Sequence, residues 1–197
     1  ERAMVTAEEL GFETLYDQYS IRNRISTLAR FLNEDYEGET VTLLCVMKGA
    51  VNFFSDLSLM LNFDVRYEFV TLQSYEGTSS SGSVNLIGDL PDMLGKKVLI
   101  VEDIVDTGLT SDYLMSIISE EADDVKLCTL LSKPTKRKVD IEPDYVGFEI
   151  EDLFVVGYGL DYNQMYRNLP CIAVLNNASE TRANFDTASY NINVNQQ

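Results

Sequence analysis

Three carboxylates and a run of small residues carry the most specific chemistry in this sequence. In Lys97–Thr110, KVLIVEDIVDTGLT, the acids Glu102 and Asp103 directly follow the apolar run Val98-Leu99-Ile100-Val101. Asp106 comes next, then the turn Thr107-Gly108-Leu109-Thr110. Carboxylates accept hydrogen bonds from sugar hydroxyls well. A Thr/Gly turn can aim backbone N–H groups and hydroxyls at a phosphate, and a helix starting there adds the positive end of its dipole. The order of acids, small loop and helix therefore predicts a sugar-phosphate site, with the phosphate on residues 107–110. Three acids alone would fit a solvated strand end just as well. The complete string favours the site.

Two further stretches could meet an anion or a polar ligand. Lys48-Gly49 follows the apolar run Val41–Met47 and precedes a helical pattern over Val51–Asn62. The lysine brings charge and the glycine permits close backbone approach, although a helix-entry turn with a solvated lysine has the same sequence. Lys133 ends the run Val125–Leu131. It aims at the same sheet edge as Lys48 and Glu102, or belongs to a surface cluster with Lys136, Arg137 and Lys138. Phe154, heading the apolar run Phe154–Gly159, reads from composition as core.

The elements that position these residues follow from periodicity. From Ser20, apolar positions Ile21, Ile25, Leu28, Phe31, Leu32 and Tyr36 recur at helical spacing up to Gly38. Short β-branched runs at 41–47, 65–74, 84–87, 98–101, 125–131, 154–159 and 171–175 predict strands, and residues 111–118 a helix. Strands alternating with helices in the middle of the chain imply an α/β fold with a mostly parallel central sheet and helices on both faces. Residues 5–20 carry no clear pattern. Residues 74–83, SYEGTSSSGS, form a long Ser/Gly loop, and the polar stretch 176–197 reads as a loosely docked tail.

Bulk properties narrow the function classes. The 197 residues carry a formal charge of −17 at pH 7, which argues against nucleic acid as the main partner. No apolar run is long enough to cross a membrane, and Glu1-Arg2-Ala3-Met4-Val5 lacks a signal-peptide core. Cys45, Cys128 and Cys171 sit in apolar runs, with spacing that suits neither zinc nor a disulfide framework. They read as buried thiols in a reducing, cytoplasmic setting. Histidine is absent, so acid–base work falls to carboxylates, lysine or tyrosine.

EDIVDTGLT after four apolar residues resembles the ribose-phosphate signature of the type I phosphoribosyltransferases, in the form used by hypoxanthine-guanine phosphoribosyltransferase. DYVGFEIEDLFVVGYGLDYNQMYRN over 144–168 is a second similar string, and the resemblance covers roughly residues 14–175. It implies one domain over 1–175, with a core at about 38–134 and a small hood from the N-terminal segment and about 135–175. It implies transfer of ribose 5-phosphate from phosphoribosyl pyrophosphate to a 6-oxopurine, with Mg²⁺. Carried over, the roles are these. Asp106 to Thr110 hold the 5′-phosphate, with Asp106 also the base that takes a proton at purine N7. Glu102 and Asp103 bind the ribose hydroxyls, directly or through metal. Lys48, Gly49 and Arg167 contact pyrophosphate, and the Met47–Lys48 peptide is expected to be cis. Lys133 reads the 6-oxo group, Phe154 stacks on the purine and the Val155 backbone reads its edge. Asp161 belongs to this purine-binding set and also lies on the metal and pyrophosphate side, and Ser74 and Tyr75 open the catalytic lid. Homodimers or homotetramers are implied. Leu109 departs from members with a basic residue in the phosphate loop. Transfer to xanthine or another base, and a non-catalytic phosphoribosyl pyrophosphate sensor, remain the alternatives.

Overall fold

A computed structural model describes residues 6–75 and 83–175. In chain order the elements are β1 (Glu13–Tyr16), α1 (Gln18–Asp35), β2 (Thr40–Met47), α2 (Val51–Ser58), β3 (Asp64–Tyr75), β4 (Ser83–Ile87), β5 (Lys97–Val105), α3 (Leu109–Ile118), β6 (Asp124–Ser132), β7 (Tyr145–Glu149), β8 (Val155–Val156) and β9 (Ile172–Val174). The chain divides into two compact units, one of residues 22–152 and one of residues 1–21 with 153–197.

The larger unit is built on a six-stranded sheet of order β4-β3-β2-β5-β6-β7. The pairs β2/β3, β2/β5, β5/β6 and β6/β7 are parallel, and only the edge strand β4 runs antiparallel, to β3. β2 and β5 lie in the middle, and their apolar residues are buried without alternation, as expected where both faces are covered. Leu44, Val46, Val98 and Ile100 pack in one cluster with Leu114 and Ile118 of α3 and with Met93. Leu43, Cys45, Leu99 and Val101, which alternate with them, are equally buried on the other face.

Except at Phe31, which is 47% exposed, α1 follows its sequence pattern. Asp17 caps it by accepting the Ser20 N–H at 2.7 Å, Ile21, Ile25, Leu28 and Leu32 are buried along one stripe, and Gly38 turns the chain out at φ +74°. α2 stops four residues short of the expected Asn62. The Ser58 hydroxyl donates back to the Ser55 carbonyl and is tied to the Tyr67 hydroxyl at 2.6 Å, which competes with continued helix.

The smaller unit contains a three-stranded antiparallel sheet of order β1-β9-β8. β1 lies in the stretch that gave no sequence pattern, and pairs with β9. The expected strand over 154–159 shrinks to Val155–Val156. Gly157, Tyr158 and Gly159 all take positive φ, which turns the chain away from the ladder. A Cβ at Gly157 would collide with the Cys171 carbonyl, so glycine is required there for space as well as conformation. The segment after residue 135 is shared: β7 completes the large sheet, while β8 and β9 belong to the small one.

Candidate active site

Most of the predicted sugar-phosphate residues lie on one strand–loop–helix unit at the carboxyl end of the central strand. β5 runs further than its apolar core suggests. Pairing with β6 continues through Glu102↔Thr129 and on to Val105↔Ser132, so Glu102 and Asp103 sit inside the strand rather than in the loop after it. Glu102 is only 4% exposed, and its Oε1 has no hydrogen-bond partner among the described residues. Burial, and then the neighbouring Asp103, push its carboxyl well above the usual carboxylate range. The same burial, with Glu102 and Asp103 beside it, pushes the Cys45 thiol up to about 12.

Asp103 bends its carboxylate back to accept the Ile104 N–H at 2.8 Å, and Asp106 does the same with the Thr107 N–H at 2.5 Å. The turn that follows depends on Gly108. Its φ is +81°, and an added Cβ would lie 2.5 Å from the Ile141 side chain. Gly108 is the N-cap of α3 and supplies no side-chain cap. An uncapped first turn presents backbone N–H groups and the positive helix end to an anion. Thr107, Leu109 and Thr110 are all half-buried around this turn, and the Thr107 hydroxyl accepts weakly from the Leu109 N–H at 3.4 Å.

The Lys48-Gly49 turn reaches the same sheet edge at the end of β2. The Met47–Lys48 peptide is cis. Gly49 faces Asp103 so closely that an added Cβ would overlap its carboxylate. This brings together two stretches read separately in the sequence.

Lys133 departs from a surface lysine. It is 6% exposed, its N–H donates to the Val105 carbonyl at 2.9 Å, and its ammonium lies 3.5 Å from Asp152 Oδ1. Arg137, which the sequence placed in a surface basic cluster, is buried beneath the β5–α3 turn, its side chain 10% exposed. Three consecutive basic residues gave no periodic signal that would separate the buried one from its neighbours. Ser74 and Tyr75 close β3, paired with Val84 and Ser83. The rest of the expected lid, residues 76–82, and the expected tail over 176–197 lie outside the described residues.

The remaining predicted residues belong to the smaller unit. Phe154 is 52% exposed, in contact edge-to-face with Tyr162 at 5.7 Å, so the core reading from composition is corrected. Val155 is buried in β8. Asp161 and Arg167 are ion-paired at 3.5 Å, and Gln164 donates to one and accepts from the other. Arg167 also donates to the Gly159 carbonyl at 2.7 Å, closing a tight hairpin in which Asn163, Gln164 and Tyr166 all have positive φ.

Among the described residues no three His, Cys, Asp or Glu side chains gather into a metal cage. Glu102 with Asp103 nonetheless suits a hard divalent cation. Two adjacent carboxyls, one with an orphaned buried oxygen, gain from a cation, and Mg²⁺ is commonly held by one or two carboxylates plus substrate oxygens and water.

This arrangement, a parallel sheet with an acid pair and an anion-binding turn at the carboxyl end of its central strand, has known counterparts. The phosphoribosyl transferase domain family matches residues 11–163, and the chain belongs to that family. Hypoxanthine-guanine phosphoribosyltransferase of Lactococcus lactis subsp. lactis is 42% identical over 165 residues, covering 83% of this chain and 90% of that protein. The bifunctional protein TilS/HprT of Listeria monocytogenes is 44% identical over 166 residues, and there the match spans 26% of the longer relative, about a quarter of its length. A solved hypoxanthine phosphoribosyltransferase from Staphylococcus aureus is similar with a TM-score of 0.83 at 38% identity, covering 88% of this chain and 97% of that one.

Proposed function

We propose that this chain transfers ribose 5-phosphate from phosphoribosyl pyrophosphate to N9 of hypoxanthine or guanine, giving IMP or GMP and pyrophosphate. The observation that carries the reading is the β5–α3 unit. A buried acid with an unpartnered oxygen, a second acid against Gly49 and a side-chain-free helix N-cap follow one another within seven residues, Glu102 to Gly108.

Breaking the anomeric C–O bond builds positive charge on the sugar and negative charge on the departing pyrophosphate, and the site must answer both. The amides and hydroxyls of Thr107–Thr110 hold the 5′-phosphate, which fixes the ribose over Glu102 and Asp103. Those carboxylates orient the ribose hydroxyls and face the cationic ring. Asp106 takes the proton from purine N7, which makes N9 the stronger nucleophile. It is a carboxylate on the phosphate turn of a chain with no histidine. Lys133, fixed by its backbone bond to β5, donates to the 6-oxo oxygen and so disfavours adenine, whose amino group cannot accept that bond. Lys48 and Gly49 serve the pyrophosphate. Within the smaller unit taken by itself, the roles proposed are purine stacking for the exposed Phe154 ring, base-edge reading for the Val155 backbone, and pyrophosphate and metal contacts for Asp161 and Arg167. Glu102 and Asp103 would hold Mg²⁺, which when bound would neutralise charge on the leaving group. Ser74 and Tyr75 begin the lid that keeps water from the reacting centre.

The same reading makes the chain one phosphoribosyltransferase domain with a small hood, working in the cytoplasm as a homodimer or homotetramer. Free Cys45, Cys128 and Cys171 suit a reducing compartment. Among the described residues no helix is long and apolar enough to cross a membrane. Val51, Leu59, Tyr67 and Phe69 of the larger unit leave apolar surface exposed, which a second copy would cover.

A spectrophotometric assay with phosphoribosyl pyrophosphate, Mg²⁺ and each of hypoxanthine, guanine, xanthine and adenine tests the reading. Turnover of the first two, with adenine rejected, is expected. Preference for xanthine or adenine would reassign the base, and binding of phosphoribosyl pyrophosphate without turnover would leave a sensor.

A further inference from the structure

Arg137 makes five hydrogen bonds from a nearly buried guanidinium, and their acceptors are informative. Nη1 donates to the carbonyls of Val105 and Asp106 at 2.9 Å each, and to the Lys133 carbonyl at 3.3 Å. Nη2 donates to the Ser132 hydroxyl at 2.7 Å, and Nε to the Ile141 carbonyl at 3.1 Å. Glu142, largely exposed, is a distant ion partner at 3.8 Å. The group is thus held mainly by neutral acceptors rather than by a close carboxylate. Burying a guanidinium against backbone carbonyls is costly, and is worthwhile only if its fork geometry is used.

Four of the five acceptors, all but Ile141, lie at the two strand ends that the proposed chemistry depends on. Val105 and Asp106 end β5 and lead into the phosphate turn. Ser132 and Lys133 end β6 and carry the base-reading lysine. Fixing the Val105 and Asp106 carbonyls on one side turns the amides of Asp106 and Thr107 away from the guanidinium, the Thr107 amide onto the Asp106 carboxylate. Two backbone bonds run parallel to this clamp, Lys133 N–H to Val105 and Lys138 N–H to Thr107, each 2.9 Å. The Arg137 stem also closes the space under the turn, with its Cδ 3.5 Å from where a Gly108 Cβ would be.

We propose that Arg137 is a positioning residue that couples 5′-phosphate binding to 6-oxopurine selection, by locking the end of β5 and the end of β6 into one frame through a single guanidinium. The assignment rests on the phosphoribosyl-transfer reading above and deepens it. Arg137 touches no reacting atom. It acts through Asp106, Thr107 and Lys133, so its loss degrades phosphate recognition and base choice together.

The test compares wild type, Arg137→Lys and Arg137→Ala in two ratios. One is the affinity for inosine monophosphate over inosine. The other is kcat/KM for hypoxanthine over adenine. Both ratios are expected to fall together, each by roughly fivefold or more, the lower end of ordinary site-to-site coupling. Millimolar guanidinium is expected to restore both in Arg137→Ala, whereas ammonium restores neither. A part with a merely structural role would lower melting temperature and total activity while leaving the ratios alone. Should Arg137→Ala fail to fold, Arg137→Lys decides, since its ammonium keeps the charge but reaches fewer of the five acceptors. Folded variants that keep either ratio within twofold of wild type overturn the assignment and leave the transferase reading standing. A wild type indifferent to both the phosphate and the base overturns the transferase reading, and the assignment with it.

Discussion

Gly49→Ala should separate folding from catalysis unusually cleanly. Gly49 does not occupy the left-handed region, so alanine suits its backbone. The three nearest atoms to the added Cβ all belong to Asp103, with Cγ at 2.8 Å and a carboxylate oxygen nearer still. The carboxylate must therefore rotate away, losing its bond from the Ile104 N–H. A hydrogen bond to a charged group is worth about 1.5–3 kcal/mol, and this one is half-exposed, at the lower end. Lower unfolded-state entropy from Gly→Ala returns about 0.4–1 kcal/mol. The net cost is about 1 kcal/mol, a fall of roughly 2–4 °C in Tm for a chain of this size. Catalysis should suffer far more, because displacing one orienting carboxylate by about 1 Å costs on the order of 100-fold. The assay is kcat/KM with hypoxanthine in a double-mutant cycle with Asp103→Ala. Each single change should cost on the order of 100-fold, and the double mutant little more than either, because the clash disappears with the carboxylate. Additive losses would refute the reasoning, since Gly49 would then act independently of Asp103.

Three more outcomes follow from the same geometry. Glu102 is raised above its ordinary value of 4.5, so the folded state holds its proton more tightly than the unfolded chain does. Metal-free stability should therefore decline as pH rises from about 4.5 through the raised folded-state value, and Glu102→Gln should remove that decline while lowering turnover; denaturant melts in chelator between about pH 5 and pH 8 check it. Burial raises the thiols of Cys45, to about 12, and of Cys128, so neither should react with a disulfide reagent at mildly alkaline pH until the chain unfolds, whereas half-exposed Cys171 should react first. Lys133→Ala should narrow the hypoxanthine-over-adenine ratio by roughly one to two orders of magnitude, and an unchanged ratio in a steady-state assay would remove Lys133 from base reading.

Much of the central unit was legible because its signals are local. The β5 core, the turn at Gly108 and the helix after it each follow from a few contiguous residues, and so does the stripe of α1. The sequence alone puts Glu102 and Asp103 past the strand, because acids rarely continue a buried run. They continue this one because β6 pairs with β5 up to Val105. β1 has no local signal for a similar reason, since Glu13–Tyr16 is a strand only through pairing with β9, far along the chain. Phe154 read as core because aromatic residues in apolar runs usually are. The positive φ angles from Gly157 onward cut the strand to two residues, and Phe154 falls before it with its ring 52% exposed. Arg137 was invisible among Lys136 and Lys138, because burial of a charged side chain depends on carbonyls supplied by other strands. The overlap of Gly49 with Asp103 likewise joins residues more than fifty positions apart.

The proposed transfer requires the turn at Thr107–Thr110 to grip a nucleotide's 5′-phosphate, and a crystal structure with inosine monophosphate tests that directly. The phosphate oxygens should lie within hydrogen-bond distance of the backbone amides of residues 107–110, with the ribose hydroxyls toward Glu102 and Asp103. A phosphate seated away from this turn, or a ribose turned away from both acids, would contradict it.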